Sequence, residues 1–170
     1  MSLTDLMSMG KSNEELLEEI MRKLREKLTY CFQCSKCTSG CTAFKLLELT
    51  PHHVMELTRL GFIRELIASD IIWTCATCLK CTERCPQKAS PYHVIMILRN
   101  ITVKQGGKIP EAYLKAVSLI LESGLMMTTE SLVTKKMETL DREKLGLPKI
   151  RYPTDSFKTT FLRTLEEYEV

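Results

Sequence analysis

The chain has 170 residues, of which 44% are hydrophobic and 26% are charged, a composition ordinary for a soluble globular protein of about one domain. Its formal net charge of +3, from 24 basic and 21 acidic residues, is too small to indicate nucleic acid as a partner. No apolar stretch approaches the roughly 18 residues that span a bilayer, and residues 1–10 lack the basic start and apolar core of a secretory signal. We therefore expect a cytoplasmic protein with no segment inserted directly in a membrane.

Helices dominate the predicted secondary structure. Ser12 and Glu15 form a capping box ahead of an apolar stripe, and this predicts a helix over 14–28. Later in the chain, Thr50-Pro51 and Ser90-Pro91 each place a hydroxyl residue before a proline, which is typical of a capped helix start. In chain order, the further predicted helices cover 50–60, 62–68, 90–104, 110–123, 131–145 and 156–168.

Eight cysteines form two copies of the spacing C-x2-C-x2-C-x3-C. The first run is Cys31, Cys34, Cys37 and Cys41, and the second run is Cys75, Cys78, Cys81 and Cys85. This spacing is typical of paired [4Fe–4S] clusters, in which the last cysteine of each run usually binds the other cluster. The pattern therefore predicts two [4Fe–4S] clusters, one bound by Cys31, Cys34, Cys37 and Cys85 and the other by Cys75, Cys78, Cys81 and Cys41.

Two other uses of the cysteines compete with this interpretation. Four disulfides would suit a secreted scaffold, but three cysteines spaced by two residues satisfy disulfide geometry poorly among themselves. Structural zinc is the stronger competitor, although its sites typically use two C-x2-C pairs separated by a dozen or more residues. A zinc-stabilised interaction module without a redox role therefore stays open as an alternative of another class.

The two halves of the sequence resemble each other beyond the cysteines. The proline that starts the following helix lies 20 residues after the first cysteine in one half and 16 residues after it in the other, which indicates a duplication with a small insertion. His53 and His93 occupy matching positions, and we expect them to pack or hydrogen-bond near the clusters, because eight thiols already complete two cubes. We expect His52 at the surface and Trp73 packed against the second cysteine loop.

No window shows the sustained alternation of a β-strand, and the residues between the two cysteine runs look helical. The sequence thus predicts an all-α, mainly helical protein: an α-helical ferredoxin with terminal helical extensions. We expect a single domain over 1–170, with a core at about 14–124. The extension at 125–170 either wraps this core or docks on a partner.

With its two cysteine runs, helical spacer and Thr-Pro and Ser-Pro helix starts, the sequence resembles the C subunit of heterodisulfide reductase. The cysteine motif alone is shared with the iron–sulfur subunits of succinate dehydrogenase, fumarate reductase and anaerobic glycerol-3-phosphate dehydrogenase. The resemblance implies an electron relay from the A subunit, which carries flavin and iron–sulfur groups, to the B subunit, which reduces the disulfide of coenzyme M and coenzyme B in methanogenesis.

The same resemblance implies further properties. A hydrogenase or a formate dehydrogenase is expected as an associated electron source, and none of the residues in this chain is expected to be catalytic. A relay subunit of a related respiratory or sulfur-metabolising reductase is the alternative that keeps the clusters and changes the complex.

Overall fold

The computed structural model describes residues 3–24, 27–47, 49–127 and 132–166. The chain divides into two compact units, Met1–Lys108 and Ile109–Val170. The predicted single domain over 1–170, with its core at about 14–124, stays a prediction. Residues 25–26, 131 and 167–168, which belong to three of the predicted helices, lie outside the described residues.

The first unit is built from helices joined by short turns. In chain order these are α1 (Leu3–Leu24), a 3-10 turn (Lys27–Tyr30), α2 (Lys36–Ser39), α3 (Thr42–Leu47), α4 (Pro51–Arg59), α5 (Ile63–Ala68), a second 3-10 turn (Asp70–Thr74), α6 (Lys80–Glu83) and α7 (Pro91–Lys104). Helix α7 packs against α1, α4, α5 and α6, so it is the central element of this unit.

The core of this unit follows the apolar faces of its helices. In α1, Ile20 and Leu24 are buried one turn apart, while Leu17 and Met21 pack beside them. Further fully buried side chains come from the two 3-10 turns, from α4, α5 and α7, and from the segment between α3 and α4: Leu28, Leu49, Met55, Ile63, Ile72, Val94, Ile95 and Leu98. Cys41 belongs to the same buried cluster, and Cys31, Cys75 and Cys85 pack against it, so the hydrophobic core supports the cysteine loops directly.

The duplication inferred from the sequence is visible in the order of the elements. Each half contains a 3-10 turn, a cysteine loop with a four-residue helix, and a longer helix that begins at proline. Helix α3 follows the first loop and has no helical counterpart between α6 and α7, so it accounts for the inserted residues. The two proline-started helices, α4 and α7, pack against each other.

The second unit contains α8 (Glu111–Ser123), a two-stranded antiparallel hairpin of β1 (Leu132–Val133) and β2 (Thr139–Leu140), and α9 (Asp155–Glu166). Helix α8 ends at Gly124, whose φ of +75° is the left-handed conformation that glycine adopts without cost. A Cβ at this position would lie 3.2 Å from the carbonyl oxygen of Arg151, so a side chain would add crowding to backbone strain.

The mainly helical class is confirmed, and the hairpin is the one β-sheet within the described ranges. Two element predictions were wrong. Helix α1 begins at Leu3 and therefore continues through the proposed cap at Ser12. It ends at Leu24 rather than at Leu28. The helix predicted over 131–145 is replaced by the hairpin, in which Val133 pairs with Thr139 and Met137 has a positive φ that ends any helical path.

Candidate metal centre

The two cysteine loops have the same backbone conformation. Gln33 and Ser35 in the first loop have φ of 54° and 58°, and Thr77 and Leu79 in the second have φ of 51° and 60°. A left-handed conformation costs a non-glycine residue about 1–2 kcal/mol. Such strain is retained where the surroundings impose it, often at functional sites. The same strained conformation occurs at matching positions of both loops, which indicates that the two loops have the same function.

A short helix closes each loop. In the first, the amides of Thr38 and Ser39 donate to the carbonyl of Ser35, and in the second the amides of Thr82 and Glu83 donate to that of Leu79. The third cysteine of each run lies within this helix, at Cys37 in α2 and at Cys81 in α6. Helices α2 and α6 also pack against each other, which brings the two loops together.

Two cavities lie beside these loops, and both runs line each of them. Cavity 1 encloses about 360 Å³ of empty space, part of it open to solvent, and its cysteines are Cys31, Cys34, Cys37 and Cys85. Cavity 2 encloses about 350 Å³ of similar space, and its cysteines are Cys41, Cys75, Cys78 and Cys81. In each cavity, the structure therefore groups the first three cysteines of one run with the last cysteine of the other run.

The starts of helices α4 and α7 lie between the two cavities. Pro51 lines cavity 2 while the next residue, His52, lines cavity 1. In the other half the relation is reversed, because Pro91 lines cavity 1 and Tyr92 lines cavity 2. Each helix thus presents its N-terminus, the end that favours negative charge, near both cavities.

Several groups approach the cysteine sulfurs. The side-chain amide of Gln33 donates to Cys31 Sγ at 3.4 Å, and the backbone amide of Ala89 donates to Cys85 Sγ at 3.3 Å. The hydroxyl of Thr42, which directly follows the first run, lies 3.9 Å from the Sγ of Cys78 in the second run. This last contact is a further link between the two halves.

The thiols differ in their tendency to ionise. Burial raises the pKa of Cys81 to about 11 and also raises the pKa of Cys37, its counterpart in the first loop. The pKa of Cys78 is lowered, chiefly by the backbone N–H of Lys80 and further by the Thr42 hydroxyl. A buried thiolate needs compensating positive charge, which a bound metal would supply.

Thr38 and His52 connect the first loop to the start of α4. The Thr38 hydroxyl lies 2.6 Å from Nδ1 of His52, and the backbone amide of His52 donates to the same oxygen at 3.2 Å. The prediction that His52 is a surface residue was therefore wrong, since its ring is part-buried and lines cavity 1. Burial is also the main reason why the pKa of His52 is lowered, with the neighbouring His53 a smaller cause.

The second half uses different partners for the same connection. Thr82, the counterpart of Thr38, lies 2.9 Å from the hydroxyl of Ser90, which in turn is hydrogen-bonded to Nδ1 of His93. The expectation that His93 forms a hydrogen bond in this region agrees with the contact. Thr50 and Ser90 occupy the N-cap positions of α4 and α7, but neither side chain makes the cap hydrogen bond that the sequence pattern predicts.

Two arginines hold the beginnings of the loops, and sequence reasoning missed both. Arg59 donates from Nη1 to the carbonyl of Cys31 at 3.1 Å. Arg99 donates from Nη2 to the carbonyls of Cys75 at 2.7 Å and Trp73 at 3.1 Å, and from Nε to that of Ile72 at 2.9 Å. Both arginines lie eight residues after the helix-starting proline, and this repeated position was the signal that could have identified them.

The residues present suit iron–sulfur clusters. Each cavity carries four thiols, the donor type that these clusters require, supplied by strained loops on a rigid helical core. Among the described residues, no three His, Cys, Asp or Glu side chains are placed to hold a single metal ion.

Comparisons with known proteins place the chain in a family. Residues 27–89 match the 4Fe-4S dicluster domain. Over 118 residues the chain is 33% identical to the C subunit of an H2:CoB–CoM heterodisulfide, ferredoxin reductase from Methanothermobacter thermautotrophicus, covering 68% of this chain and 62% of that protein. It is 31% identical over 140 residues to the second iron–sulfur C subunit of a CoB–CoM heterodisulfide reductase from Methanocaldococcus jannaschii, covering 82% of this chain and 69% of that protein. The chain belongs to the family of heterodisulfide reductase C subunits.

This membership confirms the resemblance seen in the sequence, together with the iron–sulfur character of the domain. The match spans less than two thirds of the length of the Methanothermobacter protein. In the described parts of the chain, none of the helices combines the length and the apolar character needed to cross a membrane.

Proposed function

We propose that this member of the family binds two [4Fe–4S] clusters. Cys31, Cys34, Cys37 and Cys85 hold one cluster at cavity 1, and Cys75, Cys78, Cys81 and Cys41 hold the other at cavity 2. The observation that carries this proposal is the lining of the two cavities, in which each run supplies three cysteines to one cavity and its last cysteine to the other. This is the ligand exchange known from two-cluster ferredoxins.

The chain's own contribution is to bind and to orient. Eight thiolates complete the iron coordination, the strained loops set their directions, and the helix N-termini of α4 and α7 favour the negative charge of a reduced cluster. The clusters supply one-electron chemistry when bound. We assign no residue of this chain as an acid, a base or a nucleophile, so the protein is a relay and not the place where a substrate reacts.

We further propose that the chain passes electrons from the A subunit of the reductase, with its flavin and iron–sulfur groups, to the B subunit, where the disulfide of coenzyme M and coenzyme B is reduced. The names of the relatives support this assignment, since they are C subunits of heterodisulfide reductases. One relative's name includes H2 and another's includes H2 or formate, which supports an associated hydrogenase or formate dehydrogenase as the electron source. The proposed location is the cytoplasm.

The cluster content tests the first step. Protein purified without oxygen should be brown, should contain about eight iron atoms per chain for two cubes, and should give a paramagnetic signal after reduction. About four iron atoms would contradict the two-cluster proposal. A colourless protein with stoichiometric zinc would instead support the zinc-stabilised interaction module.

Co-purification tests the second step. Affinity-tagged chain isolated anaerobically from its own organism should bring down a flavin-containing subunit and a disulfide-reducing subunit, and the complex should reduce the mixed disulfide of the two coenzymes. A complex with another reductase activity would place the chain in a related respiratory or sulfur-metabolising enzyme.

A further inference from the structure

The duplicated arginines differ in one respect that bears on the clusters. Arg59 and Arg99 are separated by 40 residues, as are the prolines Pro51 and Pro91 that begin their helices, so the two arginines are counterparts. Each donates to the carbonyl of the first cysteine of a run, Arg59 to Cys31 and Arg99 to Cys75. The repeat therefore preserves the contact and not merely the residue type.

Burial separates the two arginines. The Arg59 side chain is exposed, and the one hydrogen bond described above joins it to its loop. Arg99 is only 6% exposed, and its guanidinium donates to three carbonyls in succession, those of Ile72, Trp73 and Cys75. Its Cζ also lies 5.3 Å from the centre of the Trp73 ring, which holds the charge in place by a cation–π contact.

A buried positive charge acts more strongly on its surroundings than an exposed one. Water and salt screen the field of an exposed guanidinium, whereas a fixed charge in the protein interior acts through a lower effective dielectric constant. One-electron reduction adds a negative charge to a cube, so a nearby buried cation stabilises the reduced state and raises the reduction potential. Lys36 and Lys80 occupy matching places in the two loops and therefore do not create this difference. Arg84 stands where the first run has Gly40, but it is exposed to solvent and directly follows Glu83, which has the opposite charge.

We propose that Arg99 is a positioning residue that orders the loop at Cys75 and makes the cluster at cavity 2 the one with the higher reduction potential. Electrons supplied by a low-potential donor then reside preferentially at cavity 2. The reaction is a one-electron reduction of the cluster, and no bond in the chain is formed or broken. The inference rests on the proposed function because it requires a cluster in each cavity.

Redox titration of the metal-loaded chain, followed by electron paramagnetic resonance, tests this inference. The Cys34→Ser and Cys78→Ser variants assign the signals, since each alters the signal of one cavity only. In the wild-type chain the cavity 2 signal should appear at the higher potential. Arg99→Gln, which can keep a hydrogen bond but loses the charge, should shift the cavity 2 potential to a more negative value and leave cavity 1 unchanged.

Two matched variants separate the charge from the hydrogen bonds. Arg99→Lys keeps the charge and loses the planar set of donors, so its potential should stay near that of the wild type even if its signal shape changes. Arg59→Gln, which alters the exposed counterpart of Arg99, should shift the cavity 1 potential by a smaller amount. Three results would each overturn the proposal. The first is an equal shift of potential in Arg59→Gln and Arg99→Gln, and the second is an equal shift in Arg99→Lys and Arg99→Gln. The third is a wild-type potential that is lower at cavity 2 than at cavity 1.

The wild-type protein provides a measurement that does not depend on how the buried variants fold. Added salt should shift the cavity 1 potential more than that of cavity 2, because salt screens the exposed Arg59 more effectively than the buried Arg99. Identical salt dependence would contradict the inference. Fewer than about eight iron atoms in the wild-type chain would count instead against the two-cluster function, so the two failures are distinguishable.

Discussion

Thr38 and His52 are joined twice, because a single hydroxyl oxygen of Thr38 meets both the backbone amide and the ring Nδ1 of His52. Thr38 directly follows the third cysteine of the first run, and His52 is the second residue of α4. The side chain of the loop thus binds the first turn of the helix, where Thr50 makes no side-chain cap hydrogen bond. Cavity 1 is held in shape at the junction of these two elements.

We expect Thr38→Val to loosen this junction. The change preserves the shape of the side chain and removes its hydroxyl, leaving two polar groups of His52 without their partner, at a cost of about 1–3 kcal/mol. Amide hydrogen exchange at His52 should accelerate by about tenfold for each 1.4 kcal/mol lost. Thr38→Ser, which retains the hydroxyl, is the control. Unchanged exchange in the valine variant would show that the hydroxyl does not hold the helix start.

Gly40 and Arg84 form a second junction between the loops, at matching positions of the two runs. A Cβ added to Gly40 would lie 2.5 Å from Nη1 and 2.6 Å from Cδ of Arg84, so Gly40→Ala must displace the arginine side chain. The φ of Gly40 is −99°, which alanine adopts readily. Because Arg84 is exposed and its side chain can move aside, we expect Gly40→Ala to change the melting temperature only slightly in the wild-type background.

The same substitution should behave differently once Arg84 is shortened. In an Arg84→Ala background, Gly40→Ala should be neutral or should stabilise the protein by about 0.4–1 kcal/mol, because alanine restricts the unfolded chain more than glycine does. A double-mutant cycle of melting temperatures at constant iron content measures this coupling. Additive effects would mean that the two residues do not compete for space.

The last cysteine of each run lines the cavity of the other run, and this predicts which cysteine substitutions alter the same paramagnetic signal. Cys85→Ser should alter the same paramagnetic signal as Cys34→Ser, because both residues line cavity 1. Cys41→Ser should instead alter the signal affected by Cys78→Ser, because both line cavity 2. If Cys85→Ser gave the spectrum of Cys78→Ser, ligation would follow the sequence runs and not the cavities.

The lowered pKa of His52 predicts a dependence of stability on pH. The unfolded chain takes up a proton at the ordinary histidine pKa, whereas burial keeps the folded His52 neutral to lower pH. The contribution of His52 to the free energy of unfolding is therefore fully present above the ordinary histidine pKa. It is lost as the pH falls from that value towards the lowered pKa of the folded state. The melting temperature should decrease over this range at constant iron content, and His52→Gln should reduce the decrease. An unchanged pH slope in His52→Gln would show that the burial of His52 does not cause the dependence.

The candidate ligands and the repeat were predictable because they depend on local patterns. Ligand spacing is visible in the cysteine runs, and a proline at the first helical position identifies the starts of α4 and α7 without knowledge of their neighbours. The role of His52 was not predictable in this way, since its burial depends on a partner fourteen residues earlier. Arg99 looked like a helix residue, and only the fold brings it to a loop twenty-four residues earlier.

The hairpin shows a different limit of local reasoning. Residues 131–145 contain apolar positions compatible with a helix, yet Val133, Thr134 and Thr139 are β-branched and favour extended structure. The turn between the strands is fixed by backbone hydrogen bonds, from Thr134 N–H to the Glu138 carbonyl and from Met137 N–H to the Thr134 carbonyl, each at 2.9 Å. Short strands of two residues carry too little periodic signal to be distinguished from a helix in advance.

The lining of each cavity by both halves has a consequence for the origin of the fold. One copy of the repeat supplies three cysteines to one cavity and a single cysteine to the other, so it closes neither cavity alone. A precursor with one copy would have required a second molecule of itself to provide the fourth thiol of each site. The present chain therefore has the arrangement of a homodimer whose two copies are joined in one polypeptide.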